Sequence, residues 1–157
     1  MRNLIFAINI ILILFSCGPS ALNYNDALIE PQTKIAAGLD TIFDPASSVQ
    51  KIGEMRTQIV DFANDGLSRT LKSGDFENET EFKNAATKYY SFVMNYFSDE
   101  ELDSLLYKIN SSERMKTLDS TQIVLIQKDL KAYLKIEDDF LSAQKTFAEK
   151  HKLKLRE

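Results

Sequence analysis

Cysteine is nearly absent from this chain: among 157 residues there is one, Cys17. No intrachain disulfide can form, and a lone thiol without histidine company offers neither a zinc site nor a redox pair. Histidine is as scarce. His151 is the only one, and the residue three before it is Ala148, so the Glu-x-x-His set of a di-iron bundle is missing. Tryptophan does not occur, and 5 glycines and 3 prolines are too few to punctuate a series of hairpins. No Gly-x-Ser-x-Gly elbow, Walker loop, paired-glycine dinucleotide turn or Cys-x-x-Cys-His haem site is present. These absences argue against an enzyme and against a metal or cofactor. Basic residues number 19 against 23 acidic, a formal net charge of −4, which argues against a nucleic-acid partner. Lastly, no apolar run reaches the roughly 20 residues that span a bilayer as a helix.

The first residues carry the clearest pattern. Met1, Arg2 and Asn3 form a short basic segment, Leu4 to Phe15 is apolar apart from Asn9, and Ser16-Cys17-Gly18 supplies small residues directly afterwards. A run of that length suits the apolar region of a signal peptide, residues 1–16. Leu14-Phe15-Ser16-Cys17 resembles the lipobox of bacterial lipoproteins, with Phe15 bulkier than the usual small occupant. The resemblance implies that Cys17 is diacylated through its sulfur, becomes the new N-terminus and is N-acylated there. It also implies an anchored envelope protein, and Gly18, in place of an acidic inner-membrane retention residue, points to the outer membrane. The alternative is an ordinary secretory signal followed by an incidental cysteine.

Beyond a short tether, residues 17–21, the spacing of apolar residues is helical throughout, and residues 22–157 read as one helical domain. A first helix spans about Leu22 to Phe43, with Leu28, Ile35, Leu39 and Ile42 on one side and Pro31 expected to bend it. Asp44-Pro45 reads as an N-cap and first helical position, opening a second helix to about Lys72. Asn78 and Glu81 resemble a capping box before a third helix, whose stripe is Phe82, Ala86, Tyr89, Val93 and Tyr96. Ser98-Asp99-Glu100-Glu101 predicts a kink or split there, ahead of Leu102, Leu105, Leu106 and Ile109. Residues 110–116 read as a polar connection.

After Asp119 or Ser120 comes the longest pattern: Ile123, Ile126, Leu130, Tyr133, Glu137, Phe140, Gln144, Phe147 and His151, in alternating steps of three and four. The expected fold is therefore all-α, an antiparallel up-down four-helix bundle with its third helix kinked or split near Ser98.

Polar residues stand on these apolar seams. Asn25 and Gln32 are seven apart on helix one, as are Glu137, Gln144 and His151 on the last helix. An antiparallel return would set His151 near Asn25 and Gln144 near Gln32. Such a layer either fixes register or lines a pocket for a small ligand. Arg56, close to the apolar side of helix two, has Glu137 as one expected partner, or else snorkels at the edge. The helix-three aromatics serve as core or as a groove for an apolar ligand or a partner helix. Lys150, Lys152, Lys154 and Arg156 complement the final helix dipole, and would touch anionic head groups if that end lies at the membrane.

Tyr24-Asn25-Asp26 with Ile29, Gln32 and Ile35, and later Phe82-Lys83-Asn84-Ala85-Ala86, resemble a group of small bacterial surface lipoproteins with four-helix domains and no assigned activity. The resemblance covers about a fifth of the chain. It implies a bundle and an envelope address, with no catalytic residues. The sequence thus predicts a non-enzymatic binding or structural module, held to the membrane through lipid on Cys17, with an envelope protein as partner. The alternative is a small-ligand carrier or sensor.

Overall fold

The computed structural model describes residues 20–155; the predicted signal peptide 1–16, Cys17 and Arg156 lie outside the described residues. Among those residues the chain is all-helical: α1 (Ala21–Ile42), α2 (Val49–Ser73), α3 (Glu81–Phe97), α4 (Leu102–Ile109), α5 (Ser112–Met115) and α6 (Ser120–Lys150). Ser20 caps α1, its hydroxyl accepting from the Asn23 N–H. Pro31 sits buried inside α1 without ending it, at the cost of one helical hydrogen bond.

Two helix starts differ from the sequence expectation. α2 begins at Val49 with Ser48 as its cap, accepting from Lys51, rather than at Asp44-Pro45. Asp44 is used one turn earlier, where its carboxylate accepts the Ala46 N–H and closes a local turn. Asn78 and Glu81 form no capping box either, because Asn78 is in the left-handed region at φ 67 and Thr80 occupies the cap position. The split near Ser98 is present between α3 and α4, and the connection 110–116 contains the single turn α5. Asp119 caps α6 and forms a true capping box with Gln122.

Neighbouring long helices run antiparallel, as the pairing of their ends shows. Between α1 and α2, the Tyr24 hydroxyl donates to the Gly74 carbonyl while Gly38 lies against Ile59. Between α2 and α3, Gly66 meets Tyr90 and the Arg56 guanidinium reaches the Phe97 carbonyl. Phe82 packs on Phe140 and Phe147, and Tyr89 on Phe140, setting α3 against α6. α6 closes on α1 through Gln144 to Asn25 and Gln32 to Glu137. The core is built from Leu28, Ile35, Ile52, Ile59, Val93 and a row of aromatic rings, all buried.

α6 departs from its expected burial. Phe140, Ala143, Phe147 and Ala148 are buried, but the seam positions Ile123 and Leu130 are exposed, as are their neighbours Val124, Leu125 and Leu134. The reason is length: α6 has 31 residues against 17 in α3, so at 1.5 Å per residue it outreaches α3 by about 20 Å. The seam predicted across the whole helix is a core seam only from Tyr133 onward.

Candidate functional site

The polar residues of α1 and α6 do meet, one heptad away from the expected register. Gln144 Nε2 donates to Asn25 Oδ1 at 3.0 Å, and Gln32 Nε2 donates to Glu137 Oε1 at 3.3 Å. The Tyr133 hydroxyl donates to the same carboxylate oxygen at 2.8 Å, and Tyr89 lies 3.4 Å from Tyr133, hydroxyl to hydroxyl. Burial raises the pKa of Tyr89 and Tyr133, with the Glu137 charge adding to it, so both stay protonated donors. Tyr133 was legible as a member of this chain, since it stands four residues before Glu137 on the same helical face. Among the described residues no buried side-chain nitrogen or oxygen lacks a hydrogen-bond partner. The layer is closed on itself.

His151 belongs to a different cluster. Helix α6 ends at Lys150, and His151, its C-cap, turns Nε2 toward Glu79 Oε1 at 3.0 Å. The ring is sandwiched against Phe76 and Phe147. Lys150 Nζ reaches the same Glu79 oxygen at 2.6 Å and, as the main cause, holds the Glu79 carboxyl below its ordinary range. Glu77 completes a group in which three ligand-type atoms lie within 4.8 Å of one another. Among the described residues, the three non-glycine residues with positive φ are Glu77 of this cluster and its neighbours Asn78 and Lys152. The Lys150 ammonium already neutralises the carboxylate that a metal ion would need. Neither Glu77 nor Glu79 was singled out from the sequence, because the hairpin between α2 and α3 that brings them under His151 has no periodic signature.

Arg56 pairs with Asp103, not with Glu137, and it is buried rather than snorkelling. Its Nε lies 2.6 Å from Asp103 Oδ1 and Nη1 donates to the Phe97 carbonyl at 2.8 Å. This pair staples α4 to α2 at the end of α3, where the Phe97 carbonyl has no helical partner of its own. Asn110 and Arg114 continue the same device: Asn110 Nδ2 donates to the Ile42 and Asp44 carbonyls, while Arg114 lies over the Tyr107 ring at 4.0 Å and bonds the Asn110 side chain.

Two concavities stand out among the described residues. One, about 120 Å³, is apolar and lies where the exposed half of α6 passes Leu39, Phe43, Tyr96 and Leu106. The second is an open cleft of about 580 Å³ between α3 and α6, lined by Asn84, Lys88, Asp139 and Ser142 among others. Neither contains Asn25, Gln32, Gln144 or His151. The helix-three aromatics Phe82, Tyr89 and Tyr90 are buried core, whereas Tyr96 reaches the smaller groove. Lys152 and Lys154 are exposed beyond the end of α6. Comparison with protein-family models, with curated proteins and with solved structures gives no match.

Proposed function

We propose that this protein is an envelope lipoprotein, anchored through lipid on Cys17 and acting as a non-enzymatic binding or structural module. Its four long helices are read as an antiparallel up-down four-helix bundle, with α4 and α5 as a stapled insert. The observation that carries the non-enzymatic, non-carrier reading is the closed layer: Asn25 with Gln144, and Gln32 with Glu137 and Tyr133, leave no hydrogen-bonding group directed at a ligand. The envelope address rests on the basic, apolar and small-residue order of residues 1–18, and Gly18 after the cysteine favours the outer membrane. Its partner is an envelope protein.

The test is Cys17→Ser in the full chain. Thioether acylation needs the sulfur, so the variant loses lipid labelling and accumulates unprocessed or leaves the membrane fraction. Unchanged membrane partition with normal processing would refute the anchor. The alternative reading, a small-ligand carrier, is favoured by one feature, the 580 Å³ cleft between α3 and α6, which is large enough for a metabolite-sized molecule. Native mass spectrometry of protein taken from its own envelope separates the two. A co-purifying small molecule, lost on Asn84→Leu and Lys88→Leu together, would establish the carrier.

A further inference from the structure

The first half of α6 presents an apolar strip to solvent, and its spacing is that of a second seam. Ile123, Gln127, Leu130, Leu134, Glu137 and Leu141 follow in steps of four and three, the heptad alternation of a helix pair. This outer seam shares Ile123, Leu130 and Glu137 with the inner one that faces α1 and α3, so α6 has two apolar sides. Val124, Leu130 and Leu134 are 62%, 51% and 54% exposed. With Ile123 they leave roughly 350 Å² of apolar surface on one helix, within the size at which exposed patches mark contact sites. A standard interface buries about 800 Å² per partner, and the stems of Lys128, Lys131 and Lys135 beside the strip supply part of the remainder, which gives a pair at the small end of the range.

We propose that this strip is a homodimer interface in which α6 pairs, parallel and in register, with α6 of a second copy. The occupant follows from three observations. The strip carries charges of both signs at its edges (Lys128, Lys131, Lys135 and Asp138), so it does not select a strongly charged partner. The one polar position of the seam between Ile123 and Leu134, Gln127, meets Gln127 of the second copy when the helices run parallel, and two amides satisfy each other there. The third observation rests on the anchor proposed above: α1 starts four residues after Cys17, a reach of about 14 Å when extended. Two copies in one bilayer then stand at one height and in one direction, which sets each Ile123, Leu130 and Leu134 level with its own counterpart. Confinement to the bilayer adds a high effective concentration without any new contact. Below Leu134 the helices diverge, since Glu137 turns inward to Gln32 and Tyr133 and Asp138 would otherwise face its own copy.

Cysteine crosslinking of the full-length chain in its membrane tests this directly, with the parent chain, which carries Cys17 alone, as the blank. Leu130→Cys should give a disulfide-linked dimer under mild oxidation, at least tenfold more than Asp139→Cys, which is exposed about 140° around α6 from Leu134. Leu134→Glu introduced into the Leu130→Cys chain should abolish the crosslink while leaving the unfolding temperature unchanged, because residue 134 is more than half exposed. Sedimentation of the detergent-solubilised chain should give a dimer mass, lost in Leu134→Glu. A monomer without crosslink, a crosslink indifferent to Leu134→Glu, or trapping of a different protein by a photocrosslinker at position 134 would each overturn the homodimer. The anchor is judged separately, by fractionation of Cys17→Ser: a Leu130→Cys dimer in a chain that proves unlipidated would refute the anchor and leave the interface standing.

Discussion

Gly66 of α2 lies directly beneath the ring of Tyr90 on α3. A Cβ on Gly66 would sit 2.4 Å from Tyr90 Cε1, and the ring has nowhere to go, because its hydroxyl is held at 2.5 Å by the Leu28 carbonyl of α1. Tyr90 therefore crosses from α3 over α2 to α1, and the missing side chain at position 66 is what lets three helices meet.

Gly66→Ala should consequently destabilise the protein although alanine favours a helix. Overpacking of a fixed ring costs about 1–3 kcal/mol, against about 1 kcal/mol gained in helix propensity. Thermal unfolding of Gly66→Ala beside Gly66→Ala/Tyr90→Leu checks the cause: the second change should recover part of the loss by freeing the space. An equally stable single variant would show that the ring can move.

The Arg56–Asp103 pair should behave as a partly buried staple. Asp103→Ala leaves the guanidinium bonded only to the Phe97 carbonyl and should cost about 2–3 kcal/mol. That is less than a fully buried pair loses, because the Asp103 side chain is a quarter exposed. Arg56→Met in the same background should restore stability relative to Asp103→Ala alone, since no unpaired charge then remains. Urea unfolding of the two single variants and the double variant measures the coupling.

How much of this was readable beforehand depends on periodicity. The apolar spacing of Leu28, Ile35 and Ile42, and of Phe82, Ala86, Tyr89 and Val93, gave helices and buried faces because the period is a property of each segment alone. Register between segments is a different quantity. Asn25 and Gln144 were both legible as polar seam residues, yet their pairing was misjudged by one heptad, since seven-residue repeats look alike when slid by seven. Asp103 was hidden as the partner of Arg56 because α4 folds back by a turn whose geometry no repeat encodes. The exposed half of α6 reads like the buried half, and only the shortness of α3 uncovers it.

The corrected register changes what the polar layer should do when mutated. Gln144→Leu alone removes the donor to Asn25 Oδ1, and a nearly buried amide oxygen without its partner costs about 1–3 kcal/mol. Asn25→Leu with Gln144→Leu should recover or exceed wild-type stability, as two apolar groups replace a hydrogen-bonded pair. Calorimetry of the single and double variants decides it. If the double variant is as destabilised as the single one, Asn25 has a second duty that its contact with Asp26 does not explain.

Acid should expose a different set of charges. Hydrogen bonds from Lys34 and then Arg69 hold the Glu30 carboxyl down to about 2, from an ordinary 4.5. A depressed carboxyl contributes stability that is fully present above the unfolded value and lost as pH falls through the folded one, here from about 4.5 to about 2. Comparing Glu30→Gln with the parent chain across that window should show a stability gap above pH 5 that closes toward pH 2. Because the group is fully exposed, raising the salt concentration should narrow the gap.

The end of α6 nearest α1 should show whether its cations do more than cap a helix. Tyr24 packs against Phe147, so Lys150 and the residues after it lie at the same end as Ser20, three residues from the proposed anchor. Lys150 is engaged with Glu79, whereas Lys152 and Lys154 are exposed. On the anchored reading, Lys152→Glu with Lys154→Glu should weaken association of the Cys17→Ser chain with anionic vesicles by several-fold, each cation contributing about 1 kcal/mol at most near a charged surface. Lys150→Glu should have a smaller effect on vesicles and a larger one on stability, since it sets two carboxylates side by side. Cosedimentation with vesicles of phosphatidylglycerol and of phosphatidylcholine, at low and high salt, gives the answer. Equal and negligible binding to both lipids would leave Lys152 and Lys154 as complements to the helix dipole alone.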